Sequence, residues 1–583
     1  MIIVFLRKRL LLVTVFAAIV LIAVGVGTYF GLKNRDHAID DGDYRRHGGA
    51  VVANGLECAG IGKQILLQNG SAADAAIATL FCDGITCPQS MGLGGGFLLT
   101  IYKRSTRKTE TLIAREVAPL AATEDMFYGK PPNLSLEGGL SIAVPGELKG
   151  YWELHQKYGK LPWASLVQPS IDLCRHGHEV SPYLSRILRG AQAKILKEPT
   201  LSEVFINPAT NRTWEAGTRI KRLALADSLE IIAKEGADAL YSKQGTLLPK
   251  LLKDLKAFES IITEEDFLKY HVKWESAVES KILHGSRIVS IPAPGSGLLL
   301  NFMLNILNGY EKLNGSDPVT IHRIVESFKY GYAKRTEIGD PEFVDGIEEH
   351  IEKLSNIEFA NEIRKQIMDD RTFNNTLHYG ANFSNTEDFG TAHVNVIAPN
   401  GDAVSVTSTV NYILGAMLRS PSTGIILNDE MDDFSTPGII NGFGIPPSPA
   451  NFIRPQKRPM SSMTPSIVIN ENNDVRLVIG GAGGSKITSA VTLVILQHLY
   501  FNKSLQSAMD EPRFHHQLMP MHIQHEFEMD ANILNELKAL GHGMQSSKPD
   551  SGFAALTALS MTDDHSISAS WDKRRGGSKE VFD

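Results

Sequence analysis

A threonine placed first in a chain carries a nucleophile and a base on one residue. Thr391 stands in Gly390-Thr391-Ala392-His393 and heads an alternating run, AHVNVIAP, followed after Asn400-Gly401 by DAVSVTST. Two period-2 segments joined by a turn carrying Asn-Gly predict a β-hairpin. If the chain is cut before Thr391, the residue gains a free α-amine beside its hydroxyl. An α-amine titrates near pH 8, about two units below a lysine, so it can take the hydroxyl proton. In an uncut chain the same nitrogen is an amide and is no base. On its own the tetrapeptide reads as an ordinary strand-start threonine; the rest of the sequence reverses that reading.

Acyl transfer also needs a place for the oxyanion and a grip on the substrate. Gly483-Gly484 follow an apolar strand at 475–479 and precede an apolar helix at 488–501. Backbone N–H groups at such a turn can face an oxyanion with help from the helix dipole. A phosphate loop is the rival reading, but it needs Gly-Lys-Ser/Thr, and Gly484-Ser485-Lys486 reverses that order. The acidic stretch 428–433, NDEMDD, reads as a solvated turn or a calcium loop, yet it lacks the Asp-x-Asp-x-Asp-Gly spacing of the latter. Arg115 beside Glu116 reads as a structural ion pair.

The run 391–437, TAHVNVIAPNGDAVSVTSTVNYILGAMLRSPSTGIILNDEMDDFSTP, resembles the start of the small subunit of the γ-glutamyltransferase family. Further blocks lie in the family's order: GSAADAA at 70–76, MGLGGG at 91–96, AREVAP at 114–119, VPG at 144–146, PMSSMTP at 459–465 and GGAGGS at 480–485. Together they span roughly 48–583. The resemblance implies the four-layer αββα sandwich of N-terminal-nucleophile hydrolases, where composition alone gives only α+β. It implies a cut between Gly390 and Thr391, made by the Thr391 hydroxyl, that leaves a large subunit (48–390) and a small subunit (391–583) as a heterodimer. Thr409 would hydrogen-bond the nucleophile, and Gly483 and Gly484 would form the oxyanion hole. A γ-glutamyl group carries a free α-carboxylate and a free α-ammonium, so a cation and anions are expected, well separated. Arg115, Ser461 and Ser462 match the carboxylate side; Asn411, Glu430 and Asp433 match the ammonium side. The implied reaction is γ-glutamyl transfer from glutathione or its conjugates to water, an amino acid or a dipeptide, without cofactor or metal. Leukotriene C4 as preferred substrate, a catalytically dead structural glycoprotein, and an acylase acting on another amide are the competing readings. Tyr412-Ile-Leu-Gly415 departs from the vertebrate Leu-Tyr-Phe-Gly, which puts acceptor choice in doubt. The basic end 573–577, KRRGG, reads as solvated or acceptor-facing.

The elements that must position these residues follow from pattern. An Ala-rich helix is expected at 71–81, strands at 97–102, 391–397, 403–410, 466–468 and 475–479, and mostly helix from 148 to 367. Residues 369–388 are polar and read as the exposed loop before the cut. Strands at both ends of a helix-rich middle suggest sheets built from both halves. Length allows about four domains, but no linker divides the chain. A net charge of −7, a pI near 6.2 and scattered basic residues give no reason to expect nucleic acid.

Arg7-Lys8-Arg9 precede an uncharged run, 10–32, that would be about 35 Å long as a helix. A cleaved signal peptide is the alternative, but its apolar core is usually about 7–15 residues and Tyr29-Phe30 stand where small residues belong. The expectation is a single-pass anchor with a cytoplasmic segment 1–9, a stalk at 33–47 and the remainder outside the cytosol at the plasma membrane. Sequons at Asn69, Asn133, Asn211, Asn314, Asn374, Asn382 and Asn502 agree with that side. Of four cysteines, the resemblance pairs Cys58 with Cys82; by spacing Cys87 is a rival partner, and connectivity stays open.

Overall fold

The computed structural model describes residues 48–381, 383, 390–438, 446–547 and 553–583. The expected cytoplasmic segment, anchor and stalk, and the sequon at Asn382, lie outside the described residues. Among the described residues no helix is long and apolar enough to cross a membrane.

Period-2 alternation gives each strand two faces, and in the central strands, such as Ala392–Ile397 and Ala403–Thr409, both are buried. One sheet runs in the order Ser578–Phe582, Gly49–Ala53, Ala392–Ile397, Ala403–Thr409, Gly96–Lys103, Lys108–Ala114, Lys273–Ser276. The second runs Ile567–Trp571, Ala555–Met561, Val475–Ala482, Ser466–Ile469, Arg287–Ser290, Val278–Lys281. Every neighbour pair in the two sheets is antiparallel. Val394, Val396, Val404 and Val406 pack toward the helices Ala72–Thr86 and Glu147–Tyr158. Val52, Tyr102, Ile397, Val289, Val478 and Leu559 meet between the sheets. Val468, Leu477 and Ile479 pack toward Gly297–Asn308, Pro318–Arg335 and Lys486–Ile495. The layers are therefore helices, sheet, sheet, helices. Both sheets draw strands from each side of residue 390, so a cut there leaves two chains hydrogen-bonded through shared sheets.

The polar half of the hairpin also points inward. His393 Nδ1 lies 2.7 Å from Thr407 Oγ1, Asn395 Nδ2 donates to the Thr557 carbonyl at 2.8 Å, and Ser405 Oγ donates to the Ile479 carbonyl at 3.1 Å. Burial pushes the His393 pKa down to about 3, so the imidazole is neutral. Gly480 makes room for it, since a Cβ there would sit 2.2 Å from His393 Cε1.

Local rules explain several boundaries. The helix Ala72–Thr86 starts where Ser71 Oγ accepts from the Asp74 N–H (3.0 Å) and Asp74 Oδ2 accepts from the Ser71 N–H (2.8 Å), a capping box. It runs past the expected end at Phe81, and its Cys82 is disulfide-bonded to Cys58, while Cys87 and Cys174 are buried free thiols. The middle is mostly helical, except for two small two-stranded pairs (His178–Glu179 with Arg219–Ile220, Ile206–Asn207 with Arg212–Thr213) and strands at Lys273–Ser276, Val278–Lys281 and Arg287–Ser290, which sit at or next to edges of the large sheets. Two of the latter, KWES and VESK, are too charged to read as strands in sequence. The apolar run expected as one helix divides into an α-helix, Lys486–Ile495, and a π-helical turn, Leu496–Tyr500.

The polar segment after residue 367 is corrected in part. It was expected to be exposed throughout, but Tyr379 is buried. His322, Glu326 and Lys329 share one face of the helix Pro318–Arg335 and hold the segment. His322 Nε2 donates to the Met368 carbonyl (2.8 Å), Lys329 Nζ to the Phe373 carbonyl (2.9 Å), and Tyr379 donates to Glu326 Oε2 (2.8 Å). A buried Glu–Lys pair needs further partners to remain inside, and the segment supplies them. His322, Glu326 and His542 approach one another closely enough to suggest metal ligands. Glu326, however, already accepts from Lys329, Thr372 and Tyr379, and His322 shares a 2.8 Å hydrogen bond with His542. The six described sequon asparagines, Asn69, Asn133, Asn211, Asn314, Asn374 and Asn502, are all exposed.

Candidate active site

Register sets the position of the candidate nucleophile. Ala392 pairs with Ser408 across the hairpin, which places Thr391 opposite Thr409 at the open end. The Thr391 hydroxyl donates to Thr409 Oγ1 at 3.2 Å, and the Asn411 N–H donates to the same oxygen at 2.8 Å. Thr391 is only 5% exposed. Thr391 has φ 87°, a strained backbone for its type, and Gly390 has φ 126°, which glycine adopts freely. A β-branched residue at positive φ is an outlier costing about 1–3 kcal/mol. Gly390 is required, because a Cβ would meet the Asn411 carbonyl oxygen at 1.9 Å.

Arg115 is 1% exposed and contacts Glu430 through Nη1 and Asp433 through Nη2, with Glu116 3.9 Å away. Its Nε donates to the Pro459 carbonyl at 3.4 Å, tying it to the turn that holds Ser461 and Ser462. The expected wide separation of cation and anions is therefore not found without a ligand. A guanidinium removed from water cannot stand unpaired, and the carboxylates close on it. Burial lowers the tendency of Arg115 to stay charged, but Glu430 and Asp433 outweigh it and the net shift is upward. Burial raises Glu430 well above its usual range and Glu116 to about 7, with Arg115 opposing both. One cation facing three carboxyl groups leaves the cluster with fewer negative charges than acids.

Ser461 and Ser462 are buried; the Ser461 N–H donates to the Pro294 carbonyl (2.7 Å), while the Ser462 hydroxyl has no hydrogen-bond partner and is available to a ligand. Asn411 Nδ2 donates to the Asp429 carbonyl at 3.1 Å. A line of contacts therefore joins the nucleophile to the ion cluster, from Thr391 through Thr409 and Asn411 to Asp429 and its neighbour Glu430. Gly483 and Gly484 have φ 131° and 62° and lead into the helix Lys486–Ile495. Gly483 and Gly390 line one cavity of about 280 Å³, which puts the glycine turn beside the carbonyl before Thr391.

Sequence reading passed over three groups. Arg575 donates to the Thr391 carbonyl and, at 2.9 Å, to Ser90 Oγ; its place in KRRGG was visible, its partner was not. Asn428 ties the acidic turn to the Gly94 carbonyl (2.7 Å) and to the Ala143 N–H (3.0 Å). Glu147 accepts from Tyr151 and from Ser408 (2.8 and 2.9 Å), directly behind Thr409.

Two antiparallel sheets between helices, with a threonine at the head of a central strand, define the mixed α+β fold of the N-terminal-nucleophile hydrolases. Cephalosporin acylase from Bacillus halodurans shares that fold, with a TM-score of 0.79 at 22% identity over 92% of this chain and 96% of its own. A model of the gamma-glutamyltranspeptidase family matches residues 58–582, and the chain belongs to that family. Scoloptoxin SSD14 from Scolopendra dehaani is 44% identical over 536 residues, 91% of each chain. Glutathione hydrolase 2 of Arabidopsis thaliana is 39% identical over 482 residues, 82% of each. The gamma-glutamyltranspeptidase of Helicobacter pylori aligns with a TM-score of 0.51 at 30% identity, over 54% of this chain and 90% of that one.

Glu147 gives the site a pH signature. Burial raises its pKa to about 8, against 4.5 in an open chain. Between those values the native state holds a proton that the unfolded state has lost, so stability falls as pH rises from about 5 to 8. Glu147→Gln should flatten that slope, by a few kcal/mol across the window. Denaturation midpoints of both proteins at pH 5 and pH 8 check it; parallel slopes would refute the assignment.

Proposed function

We propose that this chain cuts itself before Thr391 and then transfers γ-glutamyl groups, with glutathione as donor and water, amino acids or dipeptides as acceptors. The observation that carries the reading is the hydrogen-bonded line from the Thr391 hydroxyl to the Arg115 cluster. It puts a nucleophile and an amino-acid clamp in one site. Relatives named glutathione hydrolase support the same choice of substrate.

Maturation proceeds by an N-to-O acyl shift. Thr391 Oγ attacks the Gly390 carbonyl carbon, the C–N bond breaks, and the nitrogen takes up a proton. Water then opens the ester, leaving a Gly390 carboxylate and Thr391 with free amine and hydroxyl. Backbone strain at Thr391 is released at this step. In the mature site the amine takes the hydroxyl proton, the oxygen attacks the γ-carbonyl, and the proton passes to the departing amine. Gly483 and Gly484 stabilise the oxyanion. Water or an acceptor amine resolves the ester. A bound γ-glutamyl group inserts its own charges into the ion cluster: its carboxylate takes Arg115, its ammonium takes Glu430 and Asp433. Substrate thus replaces contacts that Arg115 makes with Glu430 and Asp433.

Thr391→Ala is expected to leave one uncut chain, while the natural protein yields a small chain starting at residue 391. Intact mass and N-terminal sequencing decide it, and a cut at the same bond in the variant would show that another group performs it. Turnover of γ-glutamyl-p-nitroanilide by the mature protein separates an enzyme from an inactive glycoprotein.

Arg115→Lys keeps the charge but loses the two-armed contact. Its KM for glutathione should rise steeply, with a loss of about 2–5 kcal/mol in transition-state binding. Asp433→Asn should weaken the ammonium end. Substrates lacking the α-ammonium should be poor from the start and change little in Asp433→Asn; equal losses on all substrates would indicate damage to the fold instead.

The same reading places the catalytic part outside the cell on a plasma-membrane anchor formed by residues 10–32. The exposed sequon asparagines and the Cys58–Cys82 disulfide support an oxidising, glycosylating compartment. A version starting at Asp36 behind a secretion signal should be soluble and active, and glycosidase should shift mainly the large chain. Active, unglycosylated enzyme recovered from the cytosol would overturn the topology and leave the chemistry untouched.

A further inference from the structure

The cavity beside Gly390 and Gly483 is positively charged. Its ionisable lining among the described residues comprises Arg186, Lys486, Arg574 and Arg575, with Tyr183, and includes no carboxylate. Two of these cations already have firm partners. Arg574 pairs with Glu526 (Nε to Oε1, 2.6 Å) and with Asp572 (3.0 Å). Arg575 holds the Thr391 carbonyl and Ser90. Arg186 differs. It is exposed at the cavity, donates only a long 3.4 Å hydrogen bond to the Arg574 carbonyl, and has no carboxylate partner among the described residues.

Its ring contact locates it relative to Arg575. Arg186 sits on the helix Pro182–Ile195 and its guanidinium lies 5.2 Å from the Tyr183 ring. The Arg575 guanidinium lies 5.0 Å from the same ring, so the two groups are within about 10 Å of each other. Arg575 marks the reaction centre, because it touches the nucleophile's own carbonyl. The groove on the other side of Arg186, about 600 Å³, is largely apolar, with Ile187, Ala191, Ile413 and Met417 on its walls. Its two acids are otherwise engaged: Glu137 pairs with Lys194, and Asp429 accepts from the Tyr412 N–H at 2.9 Å. Arg186 therefore stands as the cation open to an anion between the reacting bond and an apolar groove.

We infer that Arg186 binds the C-terminal carboxylate of the peptide that departs from, or attacks, the γ-glutamyl group. This rests on the reading above that glutathione is the donor. In a γ-glutamyl tripeptide the part beyond the scissile amide is a dipeptide. From reacting carbonyl to terminal carboxylate it spans about 7 Å when extended, at about 3.3–3.6 Å per residue. A hydrogen bond of about 3 Å extends the reach to about 10 Å, the upper bound that the two ring contacts set on the distance between the Arg186 and Arg575 guanidinium groups. Arg115 would then hold the α-carboxylate of the glutamyl end and Arg186 the carboxylate of the other end, one at each side of Thr391. A guanidinium suits this task because its planar fork can meet both carboxylate oxygens.

The test compares three donors on the mature enzyme, with processing confirmed by mass: glutathione, its glycine ethyl ester, and γ-glutamyl-p-nitroanilide. Only the first has a carboxylate on its leaving group. Arg186→Ala should lower kcat/KM for glutathione about tenfold, as expected for loss of a charge-assisted contact at a partly exposed site, and change the other two less than twofold. Arg186→Lys should recover part of the loss. The natural enzyme should itself prefer glutathione to the ester, and Arg186→Ala should erase that preference. An unchanged kcat/KM for glutathione in Arg186→Ala overturns the proposal, and so does an equal loss on all three donors, which would mean a structural role. If the natural protein turns over none of the donors, the γ-glutamyl reading falls and this subsite falls with it.

Discussion

If the chain is cut before Thr391, as proposed, that residue must end a chain without loosening a strand. The structure meets that demand by pairing Ala392–Ile397 on both sides, with Gly49–Ala53 and with Ala403–Thr409. Ladder hydrogen bonds and two buried faces hold the residues after the cut, and none of them depends on the Gly390–Thr391 peptide bond. The new terminus can therefore carry a free amine and remain as well placed as an interior residue. The rest of the site follows from this fixed point. Thr409 is positioned by register, Asn411 by the turn after Thr409, and the acidic turn by Asn411 and Asn428.

The uncut bond is held differently from the strand it precedes. Gly390 and Thr391 both take positive φ, and the Asn411 carbonyl leaves no space for a side chain at position 390. Strain of this kind persists only where the surroundings over-determine it. Here the paired strand on one side and the Asn411 turn on the other do so. The proposed self-cleavage would keep those surroundings and remove the strained linkage, through geometry the uncut chain already has.

The hairpin was legible in the sequence because alternation and Asn400-Gly401 are local signals. Its environment was not. His393, Asn395 and Ser405 look like the solvent face of a strand, yet they form a polar layer between two sheets, satisfied by Thr407, Thr557 and the Ile479 carbonyl. Alternation reports that the two faces differ, not that one is wet. The strands at 273–290 went unread because an edge strand can keep charged side chains in solvent while its backbone pairs. The clamp residues were identified through resemblance, as types suited to an amino acid's charges. Their mutual contact was missed, because residue types report charges suited to an amino acid and not that burial draws Arg115 to Glu430 and Asp433. Arg575 lay in a conspicuous basic motif, but only the pairing of Ser578–Phe582 with Gly49–Ala53 brings that motif to the nucleophile.

Charge in this molecule is sorted by depth. Arg115, fully buried, faces three carboxyl groups, and burial pushes the pKa values of Glu116 and Glu430 upward. A zwitterionic ligand entering there exchanges charge for charge and leaves the buried balance unchanged. Affinity then rests on geometry rather than on adding ions to a dry place. Toward the cavity the balance reverses: Arg574 and Arg575 are tied down by partners and Arg186 remains at the opening. A site with a self-compensated interior and a cationic entrance favours ligands whose amino-acid head is zwitterionic and whose far end is anionic. A tripeptide joined through a glutamyl side chain has that charge pattern.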